Sequence, residues 1–199
     1  MRGWLALVGL VMVPVIGTSA IQLTGSDMRR ALDVGRASDT ARARFHAPYI
    51  FRLTGAQLDY VAVEQIEVIT ELRRLELIAE EHARINDTFG RGAMSDAEKA
   101  LLPWRDKIAI VARLRFLPTM RVMTGVPRVN VTIADSPSLP LDTQRTGIYS
   151  GSGEGSYLVG GTVEALFDAA AIGAASRPVS VTLGDKEIAR MTIDFGALK

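Results

Sequence analysis

Hydrophobic and polar residues follow two different periods along this chain. From 107 to 117 they alternate, which is typical of a β-strand that buries one face. From 70 to 86 the apolar residues recur at intervals of three and four, which predicts an amphipathic helix with Thr70 as its N-cap. The chain is therefore expected to combine helices with sheet.

Shorter apolar runs predict further strands. Alternation breaks near Gln65, which indicates either a β-bulge or an early helix start. Gly184 and Asp185 are suited to a tight turn and predict a hairpin between the last two strands. The additional predicted strands are 49–53, 60–69, 128–134, 157–167, 179–183 and 188–195.

Short helices and one long loop are predicted around these strands. Residues 26–44 suggest one or two short helices, with Ser26 as a candidate N-cap. Ser95 and Glu98 have the spacing of a capping box and predict a short helix that ends before Pro103. Residues 136–156 are rich in Pro, Ser and Gly and predict a long exposed loop.

These elements together predict an α+β fold. The C-terminal half is expected to form a mostly antiparallel β-sheet or sandwich, and the N-terminal half to hold the amphipathic helix (about 70–86) and the shorter helices.

The first 20 residues are typical of a cleavable secretory signal peptide. Arg2 precedes an apolar run from 4 to 16, and small residues follow up to Ala20, where we expect cleavage. The alternative is an uncleaved N-terminal helix that anchors the protein in a membrane. The expected organisation is a signal peptide (1–20), a short helical or partly disordered segment (21–45) and a single α+β domain (46–199).

Charge and cysteine content narrow the function classes. The chain has 23 Lys and Arg residues against 22 Asp and Glu residues. It therefore lacks the basic excess that is typical of a nucleic-acid binder. It contains no cysteine, which excludes disulfides, thiolate catalysis and Cys-ligated metals. An exported protein without cysteine fits a bacterial envelope, so we expect a periplasmic or extracellular location.

No motif in the sequence identifies a family, a catalytic site or a cofactor. Histidine occurs only at 46 and 82, without metal-ligand spacing, so His46 is interpreted as a loop residue and His82 as a core-edge residue. Glu76 and Glu80 share a helix face and are interpreted as solvated salt-bridge partners. We therefore predict no catalytic residue, no metal and no cofactor.

The strongest regional imbalance is a run of seven basic residues against one acidic residue over 99–128. One interpretation is that these charges pair with the acidic region 64–84. The other is a basic patch for an acidic partner or an anionic envelope polymer. The residues of this predicted patch are Lys107, Arg113, Arg115, Arg121 and Arg128.

The sequence predicts an exported cell-envelope protein that acts as a non-catalytic binding or assembly module, with an envelope protein or anionic envelope polymer as partner. It leans against an enzyme, although an envelope hydrolase using scattered carboxylates, with Glu154 among them, stays open. A structural or accessory subunit of an envelope complex is the other alternative. Clustered acids with a shifted pKa favour the hydrolase, and a large exposed apolar patch favours the subunit.

Overall fold

A computed structural model describes residues 23–117, 125–134, 139–151 and 156–198. Short 3₁₀ turns lie at Ala47–Tyr49, Leu102–Trp104 and Phe195–Ala197. The helices are α1 (Gly25–Gly35), α2 (Asp39–His46), α3 (Glu71–Arg84), α4 (Met94–Leu101) and α5 (Ala169–Ile172). The strands are β1 (Ile50–Arg52), β2 (Gln57–Leu58), β3 (Val61–Ile69), β4 (Lys107–Phe116), β5 (Val129–Ile133), β6 (Asp142–Ser150), β7 (Tyr157–Asp168), β8 (Ser176–Leu183) and β9 (Lys186–Asp194).

The strands form two antiparallel sheets. In the large sheet the order is β1-β3-β4-β7-β6, and β2 also pairs with β3. In the small sheet the order is β5-β8-β9. The predicted α+β class with a largely antiparallel sheet is therefore confirmed, although three strands, β1 to β3, lie between the N-terminal helices α2 and α3.

A shared apolar core holds the two sheets together. One face of β4 contributes Ile108, Ile110 and Leu114, all buried, and the small sheet contributes Val131 and Val181 to the same cluster. Because side chains on a strand alternate between faces, this core uses the apolar set that the alternation in β4 predicted. The opposite face of the large sheet is referred to below as its outer face.

The helices have a second, smaller apolar core. Ala31 and Leu32 of α1 pack with Leu75 and Ala79 of α3 and with Leu101 of α4. Residues 25–35 are thus helical and packed, because α1 buries its apolar stripe against α3. This contact places α1, α3 and α4 in one helical layer.

The first residues of the helices test the predicted N-caps. Thr70 caps α3 as predicted, with its side chain accepting a hydrogen bond from the backbone N–H of Arg73. The Ser26 prediction is wrong, because Thr24 caps α1 through a capping box with Asp27. The capping box predicted at Ser95 and Glu98 is also wrong, because α4 already begins at Met94 and lacks a side-chain cap, but the short helix predicted before Pro103 is confirmed as α4.

The predicted loop at 136–156 contains a strand. Within that range β6 (Asp142–Ser150) pairs with β7 along its length. Its side chains are mostly exposed, so it has no buried face and no apolar alternation to reveal it. The irregularity near Gln65 is a bulge in β3, between Val63 and Gln65.

Among the described residues, no helix has the length and apolar character needed to cross a membrane. The predicted leader and its cleavage site after Ala20 lie outside the described residues.

Candidate functional site

A pocket of about 450 Å³ lies between α1 and the segment that connects α3 to α4. Ligand pockets in proteins commonly have volumes of about 300–1,000 Å³. We refer to it as the arginine pocket. Its lining residues are Arg29, Leu32, Asp33, Arg36, Gly90, Arg91, Gly92, Ala93 and Met94.

The arginine pocket carries three guanidinium groups and one carboxylate, that of Asp33. Arg29 and Arg91 are exposed, and none of the carboxylates in the described ranges lies within ion-pair distance of either. Two cations that form no ion pair, at one concave site with a net positive charge, raise the local potential and attract anions. The lining is therefore suited to phosphate, sulfate or carboxylate groups.

Local sequence explains how this pocket is built. Arg29 of α1 and Arg36, the C-cap residue of the same helix, are seven residues apart, so they project from one side of the helix. Arg36 donates to the carbonyl oxygens of Leu32, at 3.1 Å, and of Phe89, which joins α1 to the segment after α3. Gly90 has a φ of +69°, and a Cβ there would lie 2.8 Å from Leu32. A glycine at 90 therefore allows both the turn and the close packing.

The predicted basic patch is divided between separate places. Arg113 and Arg115 are exposed together on the outer face of β4. Lys107 is on the same face but six residues away, about 20 Å at the rise of a strand, and it donates to the carbonyl of Pro103. Arg128 precedes β5 of the small sheet. Arg121 lies outside the described residues.

The outer face of the large sheet is half covered. Near the start of α3, Arg73 pairs with Glu67 of β3 at 2.7 Å, and Arg74 pairs with Glu164 of β7 at 2.9 Å. Beyond these ion pairs lies the open half, where Arg113 has Gln65 and Thr162 as its strand neighbours. We refer to this half as the open sheet face.

Acidic groups partly neutralise the open sheet face. Arg115 donates to Glu64 at 2.8 Å, so the predicted pairing of the basic region with the acidic region is present at this position. Arg113 has no carboxylate within ion-pair distance among the described residues. Both arginines line a shallow pocket of about 230 Å³, together with Glu64, Ile148 and Gly160. The charged side chains that line this shallow pocket, two arginines and one glutamate, give a net charge of +1. Those that line the arginine pocket, three arginines and one aspartate, give +2.

A third arrangement joins α2 to α3. Nε2 of His46 lies 3.1 Å from Oε2 of Glu76 and 3.8 Å from Oε2 of Glu80. We refer to these three residues as the His–Glu cluster. Neither carboxylate oxygen of Glu76 accepts a well-oriented hydrogen bond from a described residue, although its side chain is completely buried.

Burial changes the protonation equilibria of the cluster. Loss of solvation raises the pKa of Glu76 to about 7, and the neighbouring Glu80 carboxylate acts in the same direction. Burial, followed by the nearby Arg73 guanidinium, lowers the pKa of His46. The environment thus disfavours charge on both groups.

No family model, curated protein or solved structure matches this chain. Its function is therefore inferred from its own side chains and surfaces.

The His–Glu cluster corrects two interpretations of the sequence. His46 is the last residue of α2 and not a loop residue, and Glu76 is buried and not solvated. Glu80 does take part in ion pairs, with Arg42 and Arg84. The only local signal was the spacing of Glu76 and Glu80 on one helix face, because His46 is 30 residues away from Glu76 and reaches it only through the packing of α2.

The arginine pocket was also missed. Arg29 and Arg36 at a spacing of seven, together with Arg91 between two glycines, were visible in the sequence. That pattern does not reveal a pocket, because Arg91 is more than 50 residues from α1 and approaches it only after α1 packs on α3. His82, by contrast, matches its interpretation: it is half-buried, stacks on Phe89 and contacts Asp87.

Proposed function

We propose that this chain is an exported cell-envelope protein that binds an anionic envelope polymer without converting it, and that the arginine pocket is its binding site. The observation that carries the proposal is the pair of exposed guanidinium groups, Arg29 and Arg91, at a concave site, neither of which forms an ion pair with a carboxylate of the described residues. Arginine is suited to this role because its planar fork of donors matches phosphate, sulfate and carboxylate oxygens.

Shape supports the arginine pocket over the open sheet face. The pocket is larger, with a volume of about 450 Å³ against about 230 Å³, and has the higher net positive charge. Its lining includes the apolar side chains of Leu32 and Met94, so a group bound against them exchanges part of its contact with water for contact with apolar atoms. Charges act more strongly in such a partly dehydrated site.

Burial argues against the hydrolase alternative. The raised pKa of Glu76 is the property expected of a general acid. A general acid must, however, reach the substrate, and Glu76 is completely buried. Glu154, the other acid considered from the sequence, lies outside the described residues.

Exposed apolar residues give little support to the accessory-subunit alternative. Leu139 and Leu141 are exposed near one end of β6, and Ile148 and Tyr149 near the other. Leu141 and Ile148 are seven residues apart, which is about 23 Å along a strand. These positions form two separate pairs, whereas a permanent interface buries a continuous apolar area.

Binding of fluorescent dextran sulfate tests the proposed site, with uncharged dextran as the matched ligand. The decisive variant is R29Q/R91Q, and its charge-matched control is R113Q/R115Q on the open sheet face. We expect R29Q/R91Q to weaken binding about tenfold, because each exposed ion pair contributes up to about 1 kcal/mol. The control variant should bind as the wild type does.

Salt and the uncharged ligand complete this experiment. Binding of dextran sulfate should weaken strongly as NaCl is added, and uncharged dextran should not bind. Equal loss in the two double variants would show that only total charge matters and would reject the arginine pocket. Loss confined to R113Q/R115Q would move the site to the predicted basic patch and would also contradict the proposal.

Export is tested separately from binding. The full-length chain, expressed in a bacterial host, should appear in the envelope fraction with Ile21 as its first residue, as measured by intact-mass spectrometry. A20F should block cleavage, whereas A20S should retain it, because signal peptidase requires a small residue before the cut. Intact wild-type protein in the cytosol with Met1 or Arg2 as its first residue would refute export.

A further inference from the structure

Glu76 is the feature of the structure that most needs an explanation. Its side chain has no exposed surface, and neither carboxylate oxygen accepts a well-oriented hydrogen bond from the described residues. An ionised carboxylate without water or a counter-charge is strongly destabilised inside a protein. A neighbouring positive charge is therefore favourable at this position.

The charged groups around Glu76 already have other partners. Arg73 donates to Glu67 at 2.7 Å and to the Val68 carbonyl at 2.8 Å. Arg42 and Arg84 both approach Oε1 of Glu80, at 3.6 Å and 3.3 Å. These contacts leave Oε2 of Glu80 directed at His46, and leave Glu76 without an ion pair to an arginine.

The side chains of His46, Glu76 and Glu80 bring their possible metal-ligand atoms close together. One ligand atom each from His46, Glu76 and Glu80 can be chosen so that all three lie within 4.8 Å of one another. In the described ranges, this is the only group of three or more His, Asp and Glu side chains that meets the condition. Ligands bound to one tetrahedral metal at about 2.0–2.2 Å are separated by roughly 3.4 Å. The distances of 3.1 Å and 3.8 Å from Nε2 of His46 agree with that separation.

We propose that His46, Glu76 and Glu80 bind a first-row transition-metal dication through Nε2 and two carboxylates. One imidazole and two carboxylates form a donor set that zinc and its neighbours accept. A dication supplies the charge that Glu76 lacks and links the end of α2 to the middle of α3. His46 and Glu80 are partly exposed, which gives the ion a path from solvent.

Metal binding has a consequence for the other nitrogen of His46. Nδ1 now accepts a long hydrogen bond, 3.4 Å, from Nε of Arg73. When Nε2 binds a metal, a neutral imidazole carries its proton on Nδ1, so this contact must be released. Arg73 keeps its two shorter bonds, to Glu67 and the Val68 carbonyl. The tautomer of His46 is therefore expected to change on metal addition.

Calorimetric titration of the full chain with ZnCl₂, after removal of bound metals by EDTA, tests the site. The test variants are H46Q and E80Q, which alter partly exposed side chains and so preserve the fold. The controls are E81Q, an exposed neighbour on α3, and H82N, which removes the histidine that contacts Asp87. We expect one Zn²⁺ per wild-type chain, and an affinity loss of about tenfold or more in each test variant but in neither control.

Two further measurements give independent readouts. Zn²⁺ should raise the melting temperature of the wild type and of H82N but not that of H46Q, because a ligand stabilises the folded state that binds it. The ¹⁵N spectrum of the imidazole should show His46 changing from the Nε2–H to the Nδ1–H form.

Three results would overturn the proposal: no Zn²⁺ binding by the wild type, unchanged affinity in both H46Q and E80Q, or loss of binding in H82N. The last result would assign the zinc to His82 and Asp87. The first would mean that Glu76 is kept neutral by a proton and not by a metal.

Discussion

Gly35 lies where the end of α1 meets α3, and substitution by alanine tests how closely the two helices pack. A Cβ at this position would lie 2.6 Å from the Cβ of Ala79 and 2.8 Å from the backbone nitrogen of Glu80. Carbon atoms in contact normally stay about 3.5–4.0 Å apart. Because one of the obstructing atoms belongs to the backbone of α3, a side-chain rotation cannot relieve the clash. G35A therefore has to separate the helices.

The magnitude follows from two opposing effects. Overpacking a well-packed site costs about 1–3 kcal/mol. Alanine favours the helix over glycine by up to about 1 kcal/mol. We therefore expect G35A to lower the free energy of unfolding by about 1–2 kcal/mol, with a fall in melting temperature of about 2–4 °C per kcal/mol for a chain of this size.

Urea unfolding followed by circular dichroism measures this change, and G25A is its matched control. Gly25 begins the same helix, and a Cβ there would meet nothing within 4 Å. G25A should therefore be neutral or slightly stabilising, with the same dependence on urea as the wild type. If G35A were as stable as G25A, the close approach of α1 and α3 would be refuted.

Two other changes have defined outcomes. T70A should lower the free energy of unfolding by about 1 kcal/mol, because it removes the side-chain cap of α3. S95A should change this free energy little, because Ser95 caps no helix. Chemical denaturation of both variants measures the two effects, and equal effects would contradict the prediction. Burial raises the pKa of Glu71 above 4.5, against the opposing hydrogen bond from the backbone N–H of Asp106. The Glu71 carboxyl therefore holds its proton more tightly in the folded state than in the unfolded state. The stability that this protonated carboxyl contributes is fully present below the pKa of the unfolded state, and it is lost as pH rises through the pKa of the folded state. E71Q should therefore lose less stability than the wild type as pH is raised over that range, and parallel profiles in denaturant titrations at several pH values would rule this out.

Elements with one buried face could be predicted from the sequence. β4 buries Ile108, Ile110 and Leu114 on one side, so its alternation was visible, and α3 shows the corresponding period of a helix. β6 could not be predicted in this way, because both of its faces are largely exposed and it is held by hydrogen bonds to β7. Backbone pairing with a partner strand leaves no trace in the apolar pattern.

The candidate sites depended on tertiary structure. The exposed positions of Arg113 and Arg115 followed from alternation alone, but the division of the predicted patch between two sheets did not. The buried state of Glu76 contradicted its place in a charged helix, because α2 covers that part of α3 and brings His46 to it.

Local periodicity and turn residues determined which segments become helix or strand, since burial of one face repeats along the chain with the period of the element. Which charged groups lose water, and which of them lie close together, was decided by packing between elements far apart in sequence. Arg29 faces Arg91, and His46 faces Glu76, only because α1 and α2 dock on α3 and its following segment. Solvation and Coulomb energies depend on distance in space, and the sequence pattern does not contain that distance.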